Sequence, residues 1–414
     1  MIWHQKAAPL IFLMFSFLVT YPLVFNIHEN LVYLTDFAAP HWEDLEEFLN
    51  SILYMREVFS GNSQPLLDML HSSFSYSLSY SFLAALLSFL VGPIVAHNIF
   101  FIGSIFLASW MMYLFVKRHV KDDISCLYAG FSFGSCNYMI HHFAHGHANQ
   151  VQLFWIPFVF WMLERVLSET RKMRNGIYLG LILSGVLISN DHFALYLSLF
   201  IPIYILIRAR FQVLLSLECL KALTLSAITF FVTSSWYLYL KIGHQKTVYT
   251  KNDSLIFSLQ NPFDLINPDK EAHLGIVLLL LVFAALFLQA KNFWRSKSQD
   301  RRLPAMLIIS FFALALSFGP FSDWAPYSVL YEYVPFFLYT RTPVRLVVFA
   351  LAGFCFLAAC GLAEIRAKLG WSKKLIFTVA VFLGTYAFHH HRSSLYFRAD
   401  EAKAIWVKSF PIRD

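Results

Sequence analysis

Few stretches of this 414-residue chain carry residues that could do chemistry, and all lie between long apolar runs. Asp36, in "LTDFAAPHW", follows the first apolar run by ten residues. A carboxylate at a membrane surface can act as a general base or ligate a metal. "IHHFAHGHANQ" (Ile140–Gln150) holds His141, His142, His145, His147 and Asn149. Neutral imidazoles can ligate a transition metal; they can equally line a polar mouth and bind substrate by hydrogen bonds. His141 and His145 are four apart and would share a helix face. Gly146 suggests that the helix ends there, which favours the hydrogen-bonding mouth. Asn190-Asp191-His192 sits at a tight turn between two apolar runs. There Asp191 is either a site residue, since an acid at this depth is costly without a use, or part of a helix N-cap. "YTRTPVR" (Tyr339–Arg345) carries Arg341 and Arg345 around a proline at the start of an apolar run. Two guanidinium forks at headgroup depth suit phosphate oxygens, in preference to general snorkelling.

Composition says what must position these residues. The chain is 58% hydrophobic and 14% charged, whereas a soluble domain carries about 25% charged residues. The expected fold class is an all-α polytopic membrane protein. The net charge of +7 fits basic cytoplasmic loops, and no basic-aromatic motif accompanies it to suggest nucleic acid. The five cysteines lie in apolar runs without a C-x-x-C pair, so neither a disulfide framework nor a zinc knuckle is expected.

A membrane helix needs about 20 apolar residues. Runs near 9–26, 97–116, 124–140, 151–167, 175–190, 193–208, 220–240, 273–290, 303–320, 343–363 and 374–390 meet this, about eleven spans. The run at 9–26 is long for a signal peptide and lacks a cleavage motif, so a retained span is expected. Lys117, Arg118 and Lys121 fall in one loop; Arg165, Arg171, Lys172 and Arg174 in another. Arg208 and Arg210, then Lys291 to Arg302, then Arg366 to Lys374 follow. These loops alternate, so one cytoplasmic side can hold them all. The N-terminus is then cytoplasmic and the C-terminus extracytoplasmic, with 391–414 a short outer tail after a membrane module of 1–390. The run at 80–95 ends in Gly92-Pro93 and cannot add a span without inverting every later loop. It is expected as an interfacial or re-entrant helix on the outer side, following an outer loop of 27–80. In the same loop Glu43, Asp44, Glu46 and Glu47 interleave with Leu45, Phe48, Leu49 and Ile52, which reads as an amphipathic helix with its acids in water. The long, chemically rich loops all fall on the outer side, where function is expected.

The order of these segments resembles the GT-C superfamily of membrane glycosyltransferases, in particular its bacterial YfhO-type branch. "LTDF" stands where that superfamily places a catalytic acid, in its first outer loop. "AHNIFFIGSIFLASWMMYLFVKRHV" resembles the second span and its basic exit. "LYAGFSFGSCNYMIHHFAHGHANQVQLFWIPFVFWMLERVL" resembles the next hairpin. "GPFSDWAPYSVLYEYVPFFLYTRTPVRLVVFALAGFCFLAACGLAEI" resembles the late outer loop, ending in R-x-P-x-R. The resemblance covers most of the chain. It implies sugar transfer from a polyprenyl-phosphate donor at the outer face of a bacterial cytoplasmic membrane, with Asp36 as the base or a metal-linked acid. It places Arg341 and Arg345 at the donor phosphate and His145, His147 and Asn149 near the acceptor groove. Some members use a divalent metal and others do not; a metal here would be Mg or Mn. Where the branch often has a W-N-P-like stretch this chain has "SGNSQPLL"; many members also carry a soluble C-terminal domain, against which this sequence reads as either a minimal or a shortened module. The competing reading is a transporter or flippase of lipid-linked sugars, which would grip phosphate with the same arginines.

Overall fold

A computed structural model describes residues 2–21, 23–25, 27, 42–62, 77–145, 147–209, 216–244, 249–259, 261–267, 270, 272–295 and 301–397. Asp36 lies outside the described residues, as do the side chains of Glu43, Asp44, Glu46 and Glu47. Among the described residues the structure is helical, without a β-strand. The helices are α1 (Ile2–Val19), α2 (Trp42–Phe59), α3 (Leu78–Val91), α4 (Pro93–Lys117), α5 (Asp123–Gly134) and α6 (Asn137–Ala144). They continue with α7 (Trp155–Ser168), α8 (Lys172–Ser189), α9 (Asp191–Arg208), α10 (Leu217–His244) and α11 (Lys251–Ile256). The last are α12 (Ile276–Arg295), α13 (Arg302–Ser317), α14 (Pro326–Tyr333), α15 (Val347–Lys368) and α16 (Trp371–Phe397).

Every run expected to span coincides with helix, yet only four stretches among the described residues are long and apolar enough to cross a membrane unaided. These are Pro93–Lys117, Asp191–Arg208, Leu217–Tyr239 and Pro343–Lys368. Shorter apolar helices at Ala7–Val19, Leu78–Val91, Ile276–Leu288 and Arg302–Ser317 accompany them. The run at 124–140 differs from expectation. It is two helices, α5 and α6, broken at Ser135-Cys136, where the Cys136 sulfur accepts from the Met139 N–H and starts α6. The run at 80–95 is helical, and Gly92 at φ 84° makes the turn into α4, with Pro93 at its first position. A positive φ favours glycine there, and the missing proline N–H would have no intrahelical partner anyway.

Small residues bring the helices together. Gly176 and Gly180 on α8 face the backbone of Ala222 and Ser226 on α10, so close that a Cβ would collide with their carbonyl oxygens. Ser184, the next residue at this spacing, donates to the Phe230 carbonyl at 3.2 Å. Such a small-x-x-x-small stripe lets backbones approach where lipid supplies no hydrophobic drive between helices. Helix α15 does the same on two sides: Gly353 abuts Ser310 and the Met306 carbonyl of α13, and Gly361 abuts Leu281 and Ala285 of α12. Of the apolar window of Pro343–Lys368, 94% is buried, against 22% for Leu217–Tyr239. Thus α15 is the centre of the bundle and α10 lies at its rim. All five cysteines are buried, and none forms a disulfide.

Helix ends gather at two poles. The basic loops expected on one side meet at one pole through ion pairs. Arg208 Nε lies 2.8 Å from Glu164 Oε1, and Arg302 Nε lies 2.7 Å from Glu164 Oε2. Tyr204 donates to Glu164 at 2.7 Å, and Arg302 to the Arg118 carbonyl at 3.0 Å. Arg118 and Arg165 share Glu169 at 2.9 and 3.0 Å. Arg366 pairs with Asp122, the N-cap of α5, at 2.9 Å. Burial raises the Glu169 carboxyl, but hydrogen bonds from Arg165, Arg118 and Asn175 outweigh it and leave its pKa below the usual value.

Candidate functional site

The other pole holds the histidine stretch, the α8–α9 turn and the "YTRTPVR" segment. Helix α6 ends at Ala144 with His145 as its C-cap, so the histidines straddle a helix end. The His141 and His145 rings are 4.2 Å apart, and those of His145 and His147 stack at 5.7 Å. His145 Nδ1 lies 2.7 Å from the His141 carbonyl oxygen. Nδ1 therefore donates, since a carbonyl oxygen can only accept. His142 and His147 approach Nδ1 to Nδ1 at 2.7 Å, so one nitrogen donates and the other accepts, and the pair holds at least one neutral ring. Burial pushes the His142 pKa well below its ordinary value, and the charges of His147, His141, Arg345 and His145 push it further. That ring is neutral at physiological pH.

The two turns beside the histidines are built from the same chemistry. Asn190 is the N-cap of α9, its side chain accepting from the Phe193 N–H at 3.1 Å. Its amide donates to the Asn149 carbonyl at 2.9 Å and ties the turn to the histidine stretch. The cap is thus Asn190, and Asp191 is left to pair with His192 Nδ1 at 3.0 Å. Tyr196, one turn along α9, is buried, and its hydroxyl has no hydrogen-bond partner among the described residues. The charges of Arg345 and Asp191 both reach it.

Arg345 comes from a 3-10 turn, Pro343–Leu346, that feeds α15. Two outer segments hold this approach: the Ser254 hydroxyl donates to the Thr340 carbonyl at 3.1 Å, and the Val344 N–H to the Phe257 carbonyl at 3.2 Å. Tyr327 donates to the Thr340 carbonyl at 3.0 Å. The half-buried Arg345 guanidinium makes no ion pair or side-chain hydrogen bond among the described residues. Its field acts on His142 and Tyr196. Arg341 differs from it. That side chain is exposed and lies over the rings of Tyr249 at 5.5 Å and Phe257 at 5.3 Å.

Of the expected site residues, then, His145, His147, Asn149, Asp191 and Arg345 gather at one pole, while Arg341 is held on aromatic rings of the outer segments. Sequence reasoning missed Tyr196 and undervalued His142. Tyr196 reads as one more aromatic in an apolar run, and only its place one turn after Asp191 hints at it. Magnesium or manganese takes oxygen ligands, whereas the described side chains offer imidazoles and one carboxylate already paired with His192. They do not fit such an ion, and no group of three His, Cys, Asp or Glu among the described residues could hold a metal.

No protein-family model matches the sequence, and no curated protein does. Solved structures do share its fold. Arabinofuranosyltransferase AftD from Mycobacteria matches with a TM-score of 0.59 at 11% identity, over 97% of this chain and 27% of that one. The archaeal oligosaccharyltransferase AglB from Archaeoglobus fulgidus, in complex with an inhibitory peptide and a dolichol-phosphate, matches with 0.51 at 12% identity, over 95% and 56%. The same oligosaccharyltransferase with zinc and sulfate matches with 0.51 at 12%, over 94% and 53%. This chain shares the fold of the matched part of both enzymes. At these identities the likeness is one of fold. The chain spans about a quarter of the length of AftD and little more than half of AglB.

Proposed function

We propose that the protein is a membrane glycosyltransferase. It moves a sugar from a polyprenyl-phosphate-linked donor to a lipid, glycan or protein acceptor at the extracytoplasmic face. The YfhO-type branch is our inference from the sequence resemblance. The observation that carries the reading is Arg345, a half-buried guanidinium without a carboxylate partner among the described residues, beside the neutral His142 in a GT-C-like fold. An unpaired buried cation is costly, and a phosphate ester is the anion that its fork fits. A neighbour with the same fold is described with a dolichol-phosphate.

The mechanism is direct displacement. Asp36 takes the proton of the acceptor hydroxyl as its oxygen attacks the anomeric carbon. The bond from that carbon to the phosphate oxygen breaks, the configuration inverts, and polyprenyl phosphate leaves with its negative charge held by Arg345. Arg341 lies further out, where it meets the donor phosphate on entry. His145, His147 and Asn149 line the acceptor side, and Asp191 orients His192 between the two.

The test uses purified protein in lipid with short-chain polyprenyl-phosphate sugars, and measures released polyprenyl phosphate by mass spectrometry. Release that Asp36→Asn abolishes, with donor binding intact, is the expected result. Normal turnover by that variant removes Asp36 from the mechanism. No release from any donor, with the lipids still protecting the protein from proteolysis, replaces the reading with transport of lipid-linked sugars.

A further inference from the structure

Gln152 lies just past the histidine stretch, three residues before α7, 1% exposed. A buried primary amide has two N–H donors and an oxygen with two lone pairs to satisfy. All of them are satisfied here, and by several elements. Gln152 Nε2 donates to Ser77 Oγ at 3.0 Å and to the Ala148 carbonyl at 3.2 Å. Its oxygen accepts from Trp155 Nε1 at 3.4 Å and lies 3.2 Å from the Ser79 hydroxyl. Ser79 in turn donates to Ser189 Oγ at 2.7 Å, and Ser189 is the last residue of α8. One side chain therefore joins the N-cap of α3, the histidine stretch and, through Ser79, the turn that carries Asp191.

Helix α3 is not an isolated element. Tyr80 donates to or accepts from His97 Nδ1 on α4 at 2.6 Å. Its ring meets Phe48 of α2 edge-on at 5.7 Å, and Ser81 donates to Ser51 of α2 at 2.8 Å. Arg56 of α2 lies over the Phe89 ring of α3 at 5.0 Å. Helices α2 and α3 thus move as one body, and α2 begins six residues after Asp36.

We infer that Gln152 is a positioning residue: its amide, hydrogen-bonded to Ser77 and sharing the Ser79 hydroxyl with Ser189, holds α3, and with it α2, in register with the Arg345 site. The inference rests on the transfer reading for its catalytic consequence but not for its structural one. An alternative to Gln152 as a clamp is a seam held only by packing of α3 on α4, in which case the amide is interchangeable with any side chain of its size.

Hydrogen exchange and kinetics of the full chain in lipid separate the two. In Gln152→Met, amides of 77–91 are expected to exchange at least about tenfold faster, while 162–175 at the opposite pole keep their rates. kcat for polyprenyl phosphate release falls about 10- to 100-fold, with the donor KM within about twofold, because α2 and α3 and not the phosphate site are displaced. Gln152→Glu keeps the acceptor oxygens and loses the donors until its carboxyl is protonated. Its activity relative to the unmodified protein therefore climbs as pH falls from 8 to 5.5, a rescue that Gln152→Met does not show. Unchanged exchange at 77–91, or faster exchange over the whole molecule with kcat and KM falling out of line together, overturns the inference. If the unmodified protein releases no polyprenyl phosphate but exchange at 77–91 responds as expected, the clamp stands and the transfer reading falls.

Discussion

The two poles of the bundle treat arginine in opposite ways. At one pole Arg118, Arg165, Arg208, Arg302 and Arg366 each meet a carboxylate, with Glu164 buried between Arg208 and Arg302. At the other, Arg345 makes no ion pair among the described residues, and Arg341 lies over aromatic rings. A charge that is already neutralised holds helices together. One that is left without a counter-charge in a partly buried place is prepared for a ligand.

The comparison breaks most sharply at Glu164. Glu164→Gln leaves Arg208 and Arg302 facing each other across an amide, and should cost about 3–5 kcal/mol of stability, read as a loss of thermal midpoint in detergent. Equal stability would mean that the pole is held by packing alone. The matching change at the other pole, Arg345→Met, should leave the midpoint unchanged or raise it, yet lower polyprenyl phosphate release about 100-fold, or about 2.7 kcal/mol in barrier. A variant that melts early but turns over normally would reverse the assignment of the two poles.

Gly176→Ala probes a region between the poles, where the added Cβ meets the Ala222 carbonyl. A loss of about 1–3 kcal/mol is expected from the overpacked α8–α10 crossing, with activity of the surviving folded protein unaffected. The smallest effect is on pH. The folded His142 pKa is depressed, so the unfolded chain binds a proton near the ordinary value of about 6.5 that the folded mouth refuses. Stability contributed by this group is present above that value and falls with acidification, by at most about 1.4 kcal/mol per pH unit. Glu169 is also depressed, but its contribution is lost only lower, as pH falls through the carboxylate range. Melting from pH 7 to 5 with and without His142→Gln isolates the histidine part; identical slopes would remove it.

Much of this contrast is legible in the sequence. The alternation of basic loops places Arg118, Arg165, Arg208, Arg302 and Arg366 on one side, because positive charge resists transfer across the bilayer whatever the fold. The carboxylates that neutralise them are not legible, since Glu164 sits inside an apolar run and only the packing of α7, α9 and α13 shows its partners. Likewise "YTRTPVR" announces two arginines alike, but the bundle separates them. Arg345 turns toward the histidines at the head of α15, while Arg341 lies over rings supplied by a segment some ninety residues earlier. The break at Ser135-Cys136 was hidden because hydropathy does not register a thiol acting as a cap. Clustering of His145, His147, Asn149 and Asp191 followed from assigning their turns to one side, whereas the link from Asn190 to Asn149 is long-range and needs the structure.

The burial of α15 bears on how the chain is made. Pro343–Lys368 has the highest mean hydropathy of the four long apolar stretches, 2.5, and is the most enclosed, whereas Leu217–Tyr239, at 1.4, faces outward. During synthesis a segment is admitted to the bilayer one at a time, by its own greasiness. The helix that enters most readily is therefore the one that lipid must later give up, when α12 and α13 close around its glycines. Insertion and assembly then place separate demands on α15, its leucines and phenylalanines answering the first and Gly353 and Gly361 the second. A substitution such as Gly361→Leu should insert normally and fail only afterwards, at the stage when helices exchange lipid neighbours for protein ones.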